Sequence, residues 1–333
     1  MTPRPAIILS ALMLTSVHSL CDCSEAVSKP RAESTSRVTH RVLSDRERAL
    51  PPAIQRLLIA YPEQLVTARQ APDAPPLNDL TRLDERRVGE LVWRVGPPSA
   101  WRASGREVSL HAWSSASSET RRRWFGGRDF MEVLNQPDLG DQMLQQYPKG
   151  EPLPTALPIN FEPGRIRNEP FFKRLYGSSR REVGANLVRI RWGAKLIRVT
   201  RVNRIDEKLK QIYRELSALE RRFRRYYRES AGAFVWRKIK GTSRISVHSF
   251  GAAIDIGVRY SNYWRWTLSA RRLKPDAQIP YLNRFPLEVI KIFERHGWVW
   301  GGWWYHHDTM HFEYRPELLV SLDQRERSEV ISR

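Results

Sequence analysis

The most regular pattern along the chain is an apolar stripe at three- and four-residue spacing between positions 201 and 230. Its members are Val202, Ile205, Leu209, Ile212, Leu216, Leu219, Phe223 and Tyr226, and no Pro or Gly interrupts them. This spacing places the side chains along one side of a helix. The pattern therefore predicts one long helix over 201–230 that packs on a core. A second helix is predicted over 286–296, where Gly297 supplies the stop signal.

Two later stretches alternate like strands, so that successive side chains point to opposite faces. The first, residues 252–258, places Asp255 on one face while isoleucines flank it on the other. The second, residues 309–314, places His311 and Glu313 on a common face. A carboxylate in so apolar a strand is costly unless it is paired or bound to a cation. Together the helices and strands predict an α+β fold with a small antiparallel sheet.

The first half of the chain carries weaker patterns. A short helix is predicted over 51–61, and the apolar runs at 91–95 (L-V-W-R-V) and 108–113 (V-S-L-H-A-W) predict short strands. Residues 126–147 are rich in loop-forming positions. The predicted segments are a signal peptide at 1–20, a polar linker at 21–50, an N-terminal extension at 51–150, a main domain at 151–322 and a tail at 323–333. The extension is either a small separate module or a cover packed on the main domain.

The beginning of the chain has the features of an export signal. Arg4 precedes an apolar run over residues 6–14, which is too short to span a bilayer as a stable helix. The segment predicts export to the periplasm or cell envelope. Cys21 offers lipidation as an alternative, although Leu20 stands where a lipidation site has a small residue.

Composition narrows the set of partners. The 333 residues carry a net charge of +20, which favours polyanions such as nucleic acid, anionic membranes and anionic cell-wall polymers. No helix-turn-helix, zinc-finger or ribonucleoprotein signature is present, and an export signal argues against nucleic acid. Cys21 and Cys23 are the only cysteines, so the main domain has neither a disulfide nor a thiolate metal site.

Four side chains suggest a metal-dependent reaction. His248, Asp255 and His311 supply two imidazoles and a carboxylate, which with one position left for water form the ligand set of a catalytic zinc site. Asp308, three residues before the second histidine, is a candidate general base. Singly, each residue has a structural explanation, as a core histidine or a turn aspartate. Core packing does not require the four together.

The motif around these residues resembles a known family. S-x-H-x-x-G-x-A-x-D followed by D-x-x-H-F-E is similar to the zinc D-alanyl-D-alanine carboxypeptidase and L-alanyl-D-glutamate endopeptidase family, and the resemblance extends from about Glu162 to Leu319. It implies a zinc peptidase domain over 151–322 in which the sheet carries the ligands. The implied Zn²⁺ ligands are His248, Asp255 and His311, with Asp308 as the base.

The resemblance also implies roles for residues outside the ligand set. Arg237 stands where family members have an arginine that polarises the carbonyl or binds substrate, and Ser246 matches a substrate-contacting serine. Ser246 could alternatively cap the turn before the strand. Glu313 shares a face with His311 and is expected to orient it. His306 and His307 lie close by but are not part of the family signature.

The expected activity is hydrolysis of peptidoglycan stem peptides, and the first expectation is that of a D-alanyl-D-alanine carboxypeptidase. The aspartate at position 308 is more like the L-alanyl-D-glutamate endopeptidase branch, so that reaction is the alternative. A non-catalytic cell-wall-binding protein on the same fold is a third hypothesis. The expected partners are peptidoglycan peptides and an anionic wall or membrane surface, and the sequence leaves the oligomeric state open.

Overall fold

The computed structural model of the chain describes residues 43, 48, 52–62, 107–274 and 277–322. The predicted signal peptide, nearly all of the linker, the run at 91–95 and the tail lie outside the described residues. No helix within the described ranges is long and apolar enough to cross a membrane.

Two antiparallel sheets are present in the described part of the chain. Strands β1 (Leu187–Trp192) and β2 (Lys195–Thr200) form a hairpin. Strands β3 (Ser230–Gly232), β4 (Ala253–Ile256), β5 (Trp298–Trp300) and β6 (His311–Tyr314) form the main sheet in the order β3-β4-β6-β5. The two central strands therefore come from the two segments whose alternation suggested strands.

Eleven α-helices surround these sheets in the described residues. They are α1 (Pro52–Ala60), α2 (Leu110–Ser115), α3 (Ser118–Trp124), α4 (Phe130–Asn135), α5 (Leu139–Leu144), α6 (Glu169–Tyr176), α7 (Arg180–Ala185), α8 (Ile205–Ser217), α9 (Arg224–Tyr227), α10 (Trp264–Ala270) and α11 (Leu287–Arg295). The α+β class is thereby confirmed. The predicted second helix corresponds to α11, which buries Phe293 against Phe312 of β6 at 3.9 Å between ring centroids.

The prediction of one continuous helix over 201–230 is wrong. Asn203 and Arg204 adopt positive φ angles of 57° and 56°, so the α-helix begins only at Ile205. The helix ends at Ser217, Glu220 is extended, and the chain then re-forms a 3₁₀ turn and α9 before entering β3. The apolar stripe remains in phase across the break, because Leu216 and Phe223 are both buried. Periodicity alone therefore could not reveal the interruption.

The strand predicted at 108–113 is also wrong, because this segment contains the start of α2. The Ser109 side chain accepts a hydrogen bond from the backbone N–H of Ala112 at 3.2 Å, which caps the helix. Trp113 is buried, and its indole N–H donates to the carbonyl of Ile159 at 3.0 Å. An apolar run of this length fits either a strand or a helix, and the Ser109 cap favours the helix.

The segment expected to be loop-rich contains two short helices. Helix α4 begins with a capping box between Asp129 and Glu132, and α5 begins with one between Asp138 and Asp141. In each box the first side chain accepts a hydrogen bond from the backbone N–H three residues later. The side chain of that later residue accepts one from the backbone N–H of the first residue. These acid pairs are the sequence signal that the composition of the segment obscured.

The described residues before position 150 pack on the same core as the main sheet. The Tyr147 hydroxyl donates to Glu294 of α11 at 2.9 Å and accepts from the backbone N–H of Trp300 in β5 at 3.0 Å. The Tyr61 hydroxyl, just after α1, donates to Glu317 beyond β6 at 2.6 Å. Buried hydrogen bonds therefore connect these early segments to α11, to β5 and to the segment that follows β6.

The Tyr61 bond predicts a stability difference. Substituting Tyr61→Phe should lower the free energy of unfolding by about 1 to 3 kcal/mol, because buried Glu317 loses a hydrogen-bond donor. The matched control is Tyr281→Phe, since the buried Tyr281 hydroxyl has no hydrogen-bond partner in the described part of the chain and its removal should not destabilise the protein. Urea denaturation measures both variants. Equal losses of stability in the two variants would contradict the assignment.

Candidate metal centre

His248 lies on a 3₁₀ turn (Val247–Phe250) that leads into β4. The turn ends at Gly251, which has a φ of +67°. A Cβ at this position would stand 2.8 Å from the backbone nitrogen of Thr200 in β2, so both the backbone angle and the close approach require glycine. The glycine of the motif thus sets the exit of the chain from the histidine turn into the strand.

Asp255 and His311 reach the same point from the main sheet. The register of β4 and β6 places Asp255 directly opposite His311, on the same face of neighbouring strands. His248, Asp255 and His311 form a group whose potential ligand atoms all lie within 4.8 Å of one another. The structure therefore brings together the three residues that the sequence proposed as ligands.

The spacing of the three ligand atoms fits a tetrahedral metal ion. Nε2 of His248 lies 3.3 Å from Nδ1 of His311 and 3.2 Å from Oδ1 of Asp255, and the last two atoms are 3.0 Å apart. Ligand atoms at zinc-binding distances and tetrahedral angles are separated by about 3.3 Å. The donor set of two imidazoles and a carboxylate therefore suits Zn²⁺ in both chemistry and size.

The outer hydrogen bonds fix which nitrogen of each histidine faces the ligand cluster. Nδ1 of His248 lies 2.8 Å from the carbonyl oxygen of Ala233, and Nε2 of His311 lies 2.9 Å from Oε2 of Glu313. A carbonyl and a carboxylate can only accept, so these two ring nitrogens must carry the hydrogens. In the neutral rings, the lone pairs then point inward from the opposite nitrogens, as metal ligation requires.

The electrostatics of the cluster favour a cation at its centre. Although burial opposes it, interaction with His248 and His311 holds the pKa of Asp255 well below its usual range. Burial likewise opposes protonation of His311, but hydrogen bonds to Asp255 and Glu313 raise the pKa of His311 to about 10. The site therefore holds either a proton or a metal ion between its anionic groups.

Glu313 supports His311 through an ionic network. Its Oε2 lies 3.1 Å from a guanidinium nitrogen of Arg167, and its Oε1 lies 3.1 Å from one of Arg315. Glu313 is completely buried, yet the Arg167 guanidinium overcomes the effect of burial and lowers the pKa of Glu313 to about 2. The sequence had suggested Glu313 as an orienting group but did not identify either arginine.

Asp308 lies close to the ligands but outside the group of three. Its backbone N–H donates to Gly301 at 2.9 Å and its carbonyl accepts from His311 at 3.1 Å, which fixes the turn before β6. Its Oδ1 atom is buried without a hydrogen-bond partner among the described residues. Burial and the charge of Asp255 raise the pKa of Asp308 to about 7. A half-buried carboxyl group with this pKa can exchange protons near neutral pH.

The two substrate-contact candidates lie on the hairpin that precedes the histidine turn. The backbone N–H of Ser246 donates to the carbonyl of Arg237 at 3.0 Å, so the residues are partners across this hairpin. Arg237 is exposed, and its guanidinium makes no ion pair with any described residue. Ser246 is buried, and its hydroxyl does not cap the following turn. The capping alternative for Ser246 is therefore not observed.

The neighbouring histidines are held in other ways. Nδ1 of His306 pairs with the buried carboxylate of Glu162, and Arg165 contacts both groups. His307 is completely buried with neither ring nitrogen hydrogen-bonded among the described residues, and burial lowers the pKa of His307 to about 4. Neither histidine is grouped with the three ligands.

Comparison with known proteins supports this assignment over part of the chain. Residues 240–314 match the model of a family described as D-alanyl-D-alanine carboxypeptidase. This match confirms the family resemblance, and it contains His248, Asp255, Asp308 and His311. No curated protein and no solved structure shows a significant match to the chain. The family match and the donor set together support a zinc metallopeptidase that acts on peptidoglycan.

The contact between Glu313 and His311 predicts an effect on metal affinity. Glu313→Gln should weaken zinc binding about 10- to 100-fold, because the outer carboxylate no longer orients and polarises the imidazole. Glu162→Gln is the control, since this buried carboxylate pairs with His306 and not with a ligand. Competition with a chromogenic chelator gives both dissociation constants. An unchanged affinity in Glu313→Gln would exclude the orienting role.

The raised pKa of His311 predicts pH-dependent zinc binding. Zinc must displace the proton that this imidazole holds below pH of about 10, so the apparent affinity should rise about tenfold per pH unit towards that value. At pH 7 binding should release about one proton. Calorimetry in two buffers of different ionisation enthalpy measures that proton. Identical heats in both buffers would show that His311 is already neutral.

Proposed function

We propose that the chain is a zinc D-alanyl-D-alanine carboxypeptidase that removes the terminal D-alanine from peptidoglycan stem peptides. The observation that carries this proposal is the convergence of three correctly oriented ligand atoms near Asp308, whose Oδ1 atom has no hydrogen-bond partner among the described residues. The family match at residues 240–314 supports the same substrate class.

The proposed roles follow from the contacts of each side chain. His248, Asp255 and His311 would hold Zn²⁺, which when bound acts as a Lewis acid on the scissile carbonyl and lowers the pKa of water. Asp308 would accept a proton from the attacking water. As the carbon–nitrogen bond breaks, the same carboxyl group would deliver that proton to the leaving amine. A pKa of Asp308 near 7 suits both transfers.

Substrate binding is assigned to the hairpin beside the turn. Arg237 is exposed, and its backbone partner Ser246 lies two residues before His248. Arginine binds carboxylates through paired hydrogen bonds. A carboxypeptidase must recognise a free terminal carboxylate, so this arginine supports that reaction. Ser246, its backbone partner, would contact the peptide. The net charge of +20 would favour adsorption to an anionic wall or membrane after export to the cell envelope.

The L-alanyl-D-glutamate endopeptidase remains the second candidate. The aspartate at position 308, in place of glutamate, is the observation that favours it. A non-catalytic wall-binding protein is a weaker hypothesis, because binding alone does not require three ligands with fixed tautomers and a carboxyl group with a raised pKa beside them.

Mass spectrometry of muropeptides separates these reactions. Zinc-loaded protein should convert pentapeptide muropeptides to tetrapeptides with release of one D-alanine. Cleavage between L-alanine and D-glutamate would identify the endopeptidase, and unchanged muropeptides would favour the binding protein. Asp308→Asn should keep its zinc and lose turnover by a factor on the order of 10² or more. Asp129→Asn is the control, because asparagine also caps helices and this residue lies at the start of α4.

A further inference from the structure

A cavity of about 270 Å³ lies next to the metal centre and is separate from the three ligands. It is lined by the segment at 135–137, the start of α6 and the hairpin that carries Arg237. Most of its wall is apolar and includes Phe172 and Phe250. Such a wall suits an aliphatic group.

One cation in this wall has no partner in the described ranges of the chain. Arg244 is only 9% exposed, and its guanidinium makes no hydrogen bond or ion pair with any described residue. Its backbone is fully used, since its N–H donates to Thr242 and its carbonyl accepts from Ile239. Burial, together with nearby Arg167, lowers the pKa of Arg244 to about 9. An unpaired buried charge is costly, so this side chain is explained best by an anionic ligand.

The other charged groups around the cavity do not neutralise Arg244. Arg167 adds a second positive charge but is bonded to Glu313. Glu169 is the acid in the lining, and its two oxygens bind Lys173 at 2.7 Å and the backbone N–H of Ile245 at 2.8 Å. The cavity therefore presents a surplus of positive charge inside an apolar wall.

The cavity and the metal centre are close enough for one substrate to reach both. Val247 lines the cavity and directly precedes His248. Four residues of extended chain span at most about 14 Å, which limits the backbone separation of Arg244 and His248. A peptide of a few residues covers such a distance.

We propose that this cavity is a carboxylate-binding subsite for the peptide substrate, in which Arg244 binds a carboxylate on a short aliphatic arm away from the scissile bond. The identity of the ligand as a peptide rests on the proposed function. The carboxylate chemistry rests on the cavity alone.

A binding measurement tests the cavity without turnover. We expect zinc-loaded full-length protein to bind 4,4,4-trifluorobutyrate, followed by fluorine NMR, and to bind the neutral trifluorobutyramide much more weakly. Arg244→Met should weaken trifluorobutyrate binding at least about tenfold, since the charged hydrogen bonds to the carboxylate are lost. Arg189→Met, an exposed arginine of β1, should leave it unchanged. Equal binding to wild type and Arg244→Met would overturn the subsite, including the case in which the probe binds only at zinc.

Two further measurements check that the Arg244 variants are folded and that the ligand is a peptide. Arg244→Met should melt no lower than the wild type, because it removes an unpaired buried charge, and Arg244→Lys should retain part of the binding. The wild type should hydrolyse a peptide with a free carboxylate on its aliphatic arm with at least about tenfold higher kcat/KM than the amidated peptide. Arg244→Met should abolish that preference by raising the KM for the peptide with the free carboxylate. Probe binding without this preference would refute the peptide assignment, whereas no turnover of either peptide would refute the proposed function and leave the binding result valid.

Discussion

The register between β4 and β6 is the constraint on which the metal centre depends. It places Asp255 opposite His311 and Ala253 opposite Glu313. Because side chains alternate along a strand, a slip of one residue would turn Asp255 away from both histidines. Such a slip would also bring Ile254 and Ile256, which are fully buried, towards the ligand face. Removing one such side chain from the core costs about 1.5 to 3 kcal/mol, so apolar packing on one face positions the ligand on the other.

The sequence predicted the fold best where local pattern and tertiary packing agree. Helix α11 was expected within one residue at each end, because its apolar face, its neighbouring proline and Gly297 all indicate the same element. The prediction of one continuous helix over 201–230 was wrong for the opposite reason. Its stripe contacts one continuous core through α8 and α9, so burial stays periodic while the backbone does not. The positive φ angles at Asn203 and Arg204 have no signal in hydrophobic periodicity.

The metal ligands could be predicted because each is a rare residue type in an apolar setting. Their supports could not, since they come from distant segments or from the backbone. The acceptor for His248 is the carbonyl of Ala233, which any residue could supply. Arg167 reaches Glu313 from 146 residues away, and its side chain resembles many other arginines in this basic chain. Spacing identified the first contacts of the metal, and only the fold identifies what holds them.

The buried charges behind His311 depend on one another in series. His311 and Glu313 share one face of β6, Arg315 and Glu317 follow beyond the end of the strand, and all four are buried. Arg315 joins the two acids, at 3.1 Å to Glu313 and 2.6 Å to Glu317, and Tyr61 completes Glu317 at 2.6 Å. A buried ion pair is stable only when each member keeps its partners, so a lost partner at one end affects the next pair. The orientation of a metal ligand in β6 therefore rests partly on a hydroxyl group that lies 256 residues earlier than Glu317 in the chain.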